Sequence, residues 1–414
     1  MKAVCLSAVL AVTIAAGSAA AQEAYTFKYP SWMWEEAGTG PWNKARVAAF
    51  EAANPRIKVE ARLIPNTNYE QTINTQIAGG DAPDLMTIYT NMLAPMVEAG
   101  VLAPLDDCIK GSNFKDRLLP SASFAVFNGV TYGLPVTMSP QSLIYNKRLL
   151  DQAGVGIPKT VDEFVAAAKA VKAKTGAWGY VFPNSTNTLF TYVVSMPWVI
   201  GSGSDWSRPD RSITANDPVN VKAISMLKGF LDEQVSPKGL DANAVRTIFA
   251  EGKAAFMVDG PWVITQVSKA NADLLPDVGF DVMPTPNHTA ITGGAFYAVP
   301  KASPHQADAC KMLEVIYDPA AQQRYLEDLL QIPGTVVKPS AEFLAKYPWA
   351  GKMAEIAAKY PGGIGYAPPG YAIHAAEFRQ IVADHLARIY AGEVSVQEGL
   401  DQAQAALVKW SKSL

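Results

Sequence analysis

Several signatures of enzyme chemistry are missing from this sequence. It has only 3 cysteines and 4 histidines, and it contains no G-x-S-x-G, H-E-x-x-H or C-x-x-C motif. The histidines do not have the spacing of metal ligands; they are His288, His305, His374 and His385. We therefore predict no catalytic residues, no bound metal and no cofactor.

A run of basic residues is also missing. Lysine and arginine total 35, aspartate and glutamate total 38, and the formal net charge is −3. A mildly acidic chain without a basic patch has no electrostatic attraction for nucleic acid or for an anionic membrane surface. We predict a monomer that has no nucleic-acid partner.

Long apolar runs are confined to the N-terminus. Lys2 precedes an apolar segment from Ala3 to Ala16, and small residues follow as far as Ala21. This layout is typical of a cleaved secretory signal peptide. The later sequence lacks the run of roughly 18 apolar residues that a membrane span needs. We therefore expect residues 1–21 to be a signal peptide that is removed near Ala21, which would place the mature chain in the periplasm.

Two cysteines remain after removal of the leader, Cys108 and Cys310. An oxidising compartment permits a disulfide between them. However, Cys310 lies among apolar residues on a helical pattern, where a thiol acts as a small hydrophobic side chain. We predict buried free thiols, with the disulfide as the alternative.

The rest of the chain alternates between strand and helix patterns. About 390 residues remain after cleavage, which exceeds the roughly 250–300 residues at which one hydrophobic core stops growing. Two lobes are therefore expected. Tyr25–Tyr29 has strand character, whereas Pro41–Ala53 has helical spacing. The spacing of a capping box predicts helix starts at Thr160, Ser303 and Ser395. This alternation predicts an α/β fold with largely parallel sheets.

Six segments of the sequence occur in an order and spacing that is similar to one family of binding proteins. They are FEAANPRIKVEA from Phe50, GGDAPDLMTIY from Gly79, AGVLAPLDD from Ala99, YGLPVTMSPQSLIYNKRLLDQAGVGIPKTVDEF from Tyr132, FAEGKAAFMVDGPW from Phe249 and ITGGAFYAVPKASP from Ile291. Together they resemble the family-1 extracellular solute-binding proteins of ABC importers, in the carbohydrate-binding branch that is similar to maltose-binding protein. The resemblance covers nearly the whole mature chain.

The resemblance implies a two-lobe periplasmic-binding-protein-like fold of type II, with a ligand cleft between the lobes. The N-terminal lobe would comprise residues 22–137 and 292–332, and the C-terminal lobe residues 138–291 and 333–414. The chain would cross between the lobes near Thr137–Gln141, Ile291–Gly293 and Ile332–Gly334. The implied function is the periplasmic substrate-binding component of an ABC transporter. It would bind a neutral mono- or oligosaccharide, or a polyol, and close around it for delivery to the membrane permease.

Two tryptophans and two glutamates follow the first predicted strand: Trp32, Trp34, Glu35 and Glu36. Ligands of open α/β sheets bind outside the carboxyl ends of strands. An indole ring can stack on the apolar face of a sugar, and a glutamate can accept hydrogen bonds from its hydroxyls. We predict that one tryptophan and one glutamate contact the ligand. Neighbouring residues cannot all point inward, so the other tryptophan is expected to be a packing residue.

The resemblance assigns further residues to the cleft. Trp262 matches the main stacking tryptophan of the family, at a corner that also contains Asp259. Ser139 stands where maltose-binding relatives have a glutamate, which argues against maltose itself. Gly293 and Gly294 would either bring backbone amides to the ligand or form a tight crossover turn. The remaining candidates are Tyr89, Asn91, Trp198, Phe296 and Tyr371.

Two other functions remain open from the sequence. The same fold could bind a phosphorylated or sulfonated ligand such as glycerol phosphate, although this would require convergent arginine or lysine side chains, which are scarce in these segments. A secreted glycosidase or lyase would need two carboxylates at one bond. The carboxylates available for that role are Glu35, Glu36, Asp84 and Asp259.

Overall fold

The computed structural model describes residues 24–34, 39–65, 68–185, 190–288, 291–360, 363–364 and 368–414. The predicted signal peptide, residues 1–21, lies outside the described residues, and so do Glu35 and Glu36. Within the described ranges, no helix combines the length and the apolar character that a membrane crossing requires.

The protein is built from alternating strands and helices, which confirms the predicted α/β class. The strands are β1 (Tyr25–Ser31), β2 (Ile57–Leu63), β3 (Met86–Tyr89), β4 (Val126–Phe127), β5 (Val130–Thr131), β6 (Leu134–Asn146), β7 (Trp178–Tyr180), β8 (Ala254–Asp259), β9 (Val278–Asp281), β10 (Ile291–Ala298) and β11 (Gly363–Ile364). The α-helices are α1 (Thr39–Ala53), α2 (Tyr69–Ala78), α3 (Thr90–Glu98), α4 (Asp106–Lys110), α5 (Lys147–Ala153), α6 (Val161–Thr175), α7 (Phe190–Gly201), α8 (Pro218–Asp232), α9 (Ala242–Ala250), α10 (Val263–Ala270), α11 (Gln306–Ile316), α12 (Pro319–Leu329), α13 (Ala341–Lys346), α14 (Trp349–Lys359), α15 (Ala375–Ala391) and α16 (Val396–Ser411). Short 3₁₀ turns cover Trp32–Trp34, Lys115–Arg117, Pro120–Ala125, Ala272–Asp277 and Ala372–His374.

The predicted helix starts are confirmed at two of three positions. Thr160 and Ser395 cap α6 and α16, and each side-chain oxygen accepts a hydrogen bond of 3.2 Å from a first-turn amide. The capping box predicted at Ser303 is wrong, because α11 begins without a side-chain cap. The Ser303 hydroxyl donates to Asp84 Oδ1 at 2.6 Å. Ser303 Oγ also accepts a hydrogen bond of 3.0 Å from the amide of His305, which precedes α11, and sequence spacing does not reveal this arrangement.

One continuous sheet joins the two lobes. Its longest strand, β6, has 13 residues. The first part of β6, Leu134 to Gln141, pairs with β10, and the second part, Ser142 to Asn146, pairs with β8 and β9. Strand β3 extends the sheet beside β10, and β7 extends it beside β8. A single strand therefore takes part in the sheet of both lobes.

The prediction of largely parallel sheets is wrong. The pairs β1–β2, β7–β8 and β10–β11 are parallel, but β6 is antiparallel to β8, β9 and β10. Strands β6 and β10 carry the chain out of one lobe and back, so they run in opposite directions where they pair. A third segment bridges β6 through Pro333 and Thr137. The exact lobe boundaries stay a prediction.

Buried apolar side chains form two clusters. One cluster fills the N-terminal lobe and continues over one face of the C-terminal sheet, where it includes Met257. The other covers the opposite face of that sheet and includes Phe256 and Phe164. Met257 and Phe256 are neighbours on β8 and enter different clusters, because successive side chains of a strand point to opposite faces. Both faces of the C-terminal sheet are therefore covered by helices.

Cys108 and Cys310 form a disulfide, so the predicted free thiols are wrong. Their Cα atoms are 5.2 Å apart, although the residues are separated by 202 positions in sequence. The bond joins α4 to α11. The helical pattern around Cys310 does predict α11, but it contains no information that α4 packs beside this helix.

Candidate ligand-binding cleft

A cavity of about 440 Å³ lies where β6 and β10 pass between the lobes. Part of its floor is formed by Thr137, Ser139 and Gln141 of β6. These are every second residue of the strand, so their side chains share one face. On β10 the floor continues through Gly293, Gly294 and Ala295. The floor is thus built from strands common to both lobes, and each lobe adds one wall.

The two glycines of the floor lie inside β10, and not in a crossover turn. Gly293 pairs with Ser139 and Gly294 pairs with Met138. A Cβ atom on Gly294 would lie 2.0 Å from the carbonyl oxygen of Thr137, so only glycine permits this close strand pairing. The carbonyl oxygen of Gly294 accepts a hydrogen bond of 3.0 Å from Thr90 Oγ1, which ties the floor to α3.

Trp32 forms the aromatic part of the N-terminal wall. Its ring stacks on Tyr89 with a centroid distance of 4.0 Å and meets Tyr69 edge-on at 4.7 Å. Burial raises the pKa of the Tyr69 hydroxyl well above its usual value, so this packed group stays neutral. Trp32 is 8% exposed and reaches the cavity together with Tyr89. The wall is completed by Met33, Thr90 and Asn91.

Trp34 is the packing residue of the N-terminal pair. Its indole Nε1 donates a hydrogen bond of 3.0 Å to the carbonyl oxygen of Tyr29. Its ring meets the ring of Tyr29 edge-on, with 4.9 Å between centroids. The 3₁₀ turn points successive side chains in different directions, so Trp32 reaches the cavity whereas Trp34 enters the core.

Trp262 forms the aromatic part of the C-terminal wall. It stands just before α10, lines the cavity and is 39% exposed. Its ring folds back over Gly260, where a Cβ atom would lie 2.2 Å from the ring. Glycine at this corner therefore allows the indole to lie close to the backbone between β8 and α10.

Asp259 does not line the cavity but holds a residue that does. Both of its carboxylate oxygens accept hydrogen bonds from Arg246, with Nε to Oδ2 at 2.6 Å and Nη2 to Oδ1 at 3.2 Å. Oδ1 also accepts the amide hydrogen of Gly260 at 2.8 Å. The guanidinium carbon of Arg246 lies 5.9 Å from the ring centroid of Trp262, which is within cation–π range.

Sequence reasoning missed Arg246 and several smaller residues of the lining. One signal for Arg246 was available. It lies on α9, next to the buried residues Val245 and Phe249, and this helix precedes the corner that contains Trp262. Because alternate residues of a strand share one face, Ser139 could have indicated the other floor residues on β6. The other missed residues are Met33, Thr137, Gln141, Ala295 and Gln331.

Three predicted wall residues lie elsewhere in the structure. Phe296 is fully buried in the apolar cluster that fills the N-terminal lobe. Trp198 is buried, donates from Nε1 to the Tyr180 hydroxyl at 3.2 Å, and borders a separate cavity of about 660 Å³ in the C-terminal lobe. Tyr371 is 2% exposed and donates its hydroxyl to the carbonyl oxygen of Arg211 at 2.7 Å. Burial of each such ring stabilises the fold by about 1.5–3 kcal/mol, so these rings serve the cores.

Asp84 also lies away from the cavity. It is 2% exposed, and its carboxylate accepts hydrogen bonds from the amide of Lys28 at 2.8 Å and from Ser303 Oγ at 2.6 Å. Nδ1 of His305 lies 3.0 Å from Oδ1. This carboxylate therefore ties β1 to the segment before α11. Across the described residues, no group of three or more His, Cys, Asp or Glu side chains is arranged to hold a metal ion.

Comparison with known sequences places the chain among binding proteins. It matches the family model for bacterial extracellular solute-binding proteins over residues 34–323. It is 26% identical over 341 residues to the diacetylchitobiose binding protein DasA of Streptomyces coelicolor, covering 80% of this chain and 77% of that protein. It is 29% identical over 244 residues to a protein of Brucella abortus named only as a binding protein. That match covers 58% of this chain, and the chain spans 59% of the length of that relative.

Solved structures share the fold. The sugar-binding protein MalE from Xanthomonas citri matches with a TM-score of 0.80 and 21% identity, over 94% of this chain and 98% of that chain. The GacH receptor of Streptomyces glaucescens matches with a TM-score of 0.73 and 23% identity, over 93% and 97%. These likenesses show the two-lobe α/β architecture. Since the family model covers more than half of the chain, the protein belongs to the bacterial extracellular solute-binding proteins.

Proposed function

We propose that the protein is the substrate-binding component of an ABC importer and that it binds a neutral carbohydrate or polyol between its lobes. The observation that carries this proposal is the arrangement of aromatic rings around one polar floor. Trp262 contributes an exposed ring from the C-terminal wall, and the Trp32–Tyr89 stack contributes the N-terminal wall of the same cavity.

This arrangement suits the two chemical faces of a sugar. The apolar C–H face of a pyranose can stack on Trp262, while its hydroxyls can exchange hydrogen bonds with the polar side chains of the floor. Those side chains are Ser139 and Gln141, with Asn91 on the adjoining wall. The volume of about 440 Å³ falls within the roughly 300–1,000 Å³ of small-ligand sites.

The relatives support a saccharide ligand. DasA is named for diacetylchitobiose, and the Xanthomonas citri protein is a sugar-binding MalE. The GacH receptor was solved in complex with acarbose. These ligands differ in their sugars, so the relatives favour a class of compound and not one particular sugar.

The charges of the cavity disfavour a phosphorylated or sulfonated ligand. Arg246 is the one charged side chain among the described residues that line it, and Asp259 already pairs with this cation. A phosphate ester needs convergent positive charge to replace its hydration. A neutral ligand has no such requirement.

The same lining disfavours catalysis. Glycoside hydrolysis uses two carboxylates beside one bond, whereas none of the described lining residues carries a carboxylate. Glu35 and Glu36 lie outside the described residues. Incubation with oligosaccharides and a reducing-end assay tests this point; release of reducing ends would make the protein an enzyme.

Function would be carried by closure of the lobes. Each wall belongs to one lobe, so a ligand that touches both walls stabilises the closed form, which the membrane permease would recognise. Periplasmic location follows from the predicted signal peptide and agrees with an extracellular solute-binding family. X-ray scattering should show a smaller radius of gyration after ligand is added, with the mass of a monomer.

A thermal-shift screen tests the ligand class directly. The panel comprises maltotriose, diacetylchitobiose, melibiose, raffinose, galactose, sorbitol and glycerol 3-phosphate. A ligand that binds only the folded state adds about 2.7 kcal/mol of stability at one hundred times its Kd, so a saccharide or polyol should raise the Tm. A rise in Tm with glycerol 3-phosphate alone would overturn the proposal. The absence of any rise in Tm across the panel would overturn it as well.

A further inference from the structure

The ion pair between Arg246 and Asp259 places a fixed cation at the edge of the cleft. Arg246 lies on α9, and Asp259 is the last residue of β8, just before the corner that leads to Trp262. The side chain of Arg246 is 23% exposed, whereas that of Asp259 is 9% exposed. Arg246 therefore contributes to the lining of the cavity, and the more deeply buried Asp259 supports it from within the protein.

The pairing leaves one edge of the guanidinium available. A guanidinium carries five N–H donors in a planar fork. Nε and Nη2 each direct a donor at Asp259, and Nη1 makes no hydrogen bond to any described residue. The donors on Nη1 and the second hydrogen of Nη2 lie on the edge that faces away from the carboxylate.

Asp259 is well placed to fix this orientation. Its two oxygens accept from two different nitrogens of Arg246, which prevents rotation of the guanidinium plane. A third hydrogen bond, from the amide of Gly260, fixes the carboxylate itself. Arginine side chains otherwise lose about 2 kcal/mol of rotamer freedom when a ligand orders them, and this pair removes most of that loss before binding.

We propose that Arg246 is the residue that selects the ligand of this cleft and that Asp259 is its positioning residue. The free edge of the guanidinium donates to two neighbouring hydroxyl oxygens of a sugar ring that stacks on Trp262. This inference rests on the proposed carbohydrate function and adds a substrate class to it, namely neutral sugars that carry an adjacent pair of hydroxyls.

The same geometry selects against acidic sugars. The charge of Arg246 is balanced by a carboxylate at 2.6 Å, so a uronate would bring a second negative charge close to Asp259. Like charges at such distances repel, and partial burial strengthens the repulsion. Hydroxyl oxygens accept from the fork without adding charge. The pair therefore favours a neutral sugar over the corresponding uronic acid.

Calorimetric titration with matched sugars tests both roles. The probes are glucose against glucuronate and galactose against galacturonate, together with maltotriose and diacetylchitobiose. In Arg246→Gln, the neutral probes that bind the unaltered protein should lose about 10- to 100-fold in affinity, the loss expected for hydrogen bonds from a charged group. Arg246→Lys keeps the charge but loses the fork, so it should also weaken binding.

The carboxylate is tested by Asp259→Asn. This change should weaken binding of the neutral sugar and move the affinity ratio toward the uronate by at least about tenfold, because the cation is no longer balanced. The double variant Arg246→Gln with Asp259→Asn should bind no more weakly than Arg246→Gln alone, since Asp259 acts through Arg246. Asp281→Asn is the matched control. Asp281 is equally buried and is paired with Lys159, but it lies outside the cavity lining.

The outcomes separate this inference from the proposed function. Unchanged affinity in folded Arg246→Gln or Arg246→Lys would overturn the role of Arg246, and additive losses in the double variant would overturn the positioning role of Asp259. Preference of the unaltered protein for the uronates would overturn the ligand class. If the unaltered protein bound none of the saccharides, the proposed function would fail first and this inference with it.

Discussion

The two walls of the cleft are built in different ways. In the N-terminal wall, Trp32 is held between Tyr69 and Tyr89 and is 8% exposed. In the C-terminal wall, Trp262 is 39% exposed. The first tryptophan belongs to a packed core that borders the cavity, and the second exposes its ring to the cavity, where we propose that it contacts the ligand. Fold stability and ligand affinity should therefore depend on different tryptophans.

The buried carboxylate of Asp84 and the half-buried carboxylate of Asp205 show the same contrast between the lobes. Asp84 in the N-terminal lobe accepts hydrogen bonds from the Lys28 amide and from Ser303, and it contacts His305. Asp205 in the C-terminal lobe accepts one from the Trp206 amide at 2.7 Å. Burial raises the pKa of Asp205 to about 6. The carboxylate of Asp84 is thus held by more hydrogen bonds than that of Asp205.

The largest effect is expected from Trp32→Ala. The change leaves a hole between two tyrosines, so the free energy of unfolding should fall by about 3–5 kcal/mol. Urea denaturation followed by circular dichroism measures this loss. A stability within about 0.5 kcal/mol of the unaltered protein, the range typical of surface changes, would show that the N-terminal wall is not braced by this ring.

The disulfide is expected to give the next largest effect. Replacement of Cys108 and Cys310 by serine should lower the free energy of unfolding by about 2–4 kcal/mol, because the cross-link restricts the unfolded chain. Mass spectrometry of the unreduced protein, alkylated in denaturant, should find no labelled thiol. Two labelled thiols would restore the prediction made from the sequence.

Asp205→Asn should stabilise the folded protein at pH 7 but not at pH 4. The folded-state pKa of about 6 is above the unfolded value near 3.9, so the folded state binds more protons between about pH 4 and pH 6. Stability of the unaltered protein therefore falls as the pH rises through this window. At pH 7 the ionised group costs at most about 3 kcal/mol, which asparagine removes.

Melting curves at pH 4 and pH 7 check this prediction. The Tm of Asp205→Asn should exceed that of the unaltered protein at pH 7 and match it at pH 4. Asp84→Asn is the matched comparison in the other lobe and should lower the Tm at pH 7, because an amide nitrogen would face a hydrogen-bond donor. A lower Tm for both variants at pH 7 would remove the contrast between the two acids.

Trp262→Ala should have the smallest effect on the fold and a clear effect on binding. Loss of the stacking ring should weaken affinity for the bound saccharide by about 1–3 kcal/mol, while the Tm without ligand stays nearly unchanged. Met226→Ala is the control, because Met226 lines the separate cavity of about 660 Å³. If Trp262→Ala kept full affinity for the saccharide, or if Met226→Ala lost affinity, the larger cavity would be the binding site.

Local patterns predicted much of the fold and part of the site. Alternating strand and helix spacing gave the α/β class, whereas the family resemblance pointed to Trp262, which the structure places in the lining of the cavity. The same reasoning could not separate Trp262 from Trp198, because both lie near glycines and only long-range packing decides which ring is buried. Similarly, Arg246 meets Asp259 because α9 lies beside β8, and Cys108 meets Cys310 across 202 positions. Contacts of this kind depend on topology, which local spacing does not contain.

The place of β10 in the sheet has a consequence for how the chain is made. This strand, Ile291–Ala298, pairs on one side with β3, Met86–Tyr89, and on the other with β6. At a synthesis rate of about 5–20 residues per second, β3 leaves the ribosome roughly 10–40 seconds before its partner. During that interval β3 is an unpaired apolar strand, which can pair with other chains. The sheet in the first third of the chain therefore cannot be completed until the last third has been translated, and during that time β3 is exposed to aggregation.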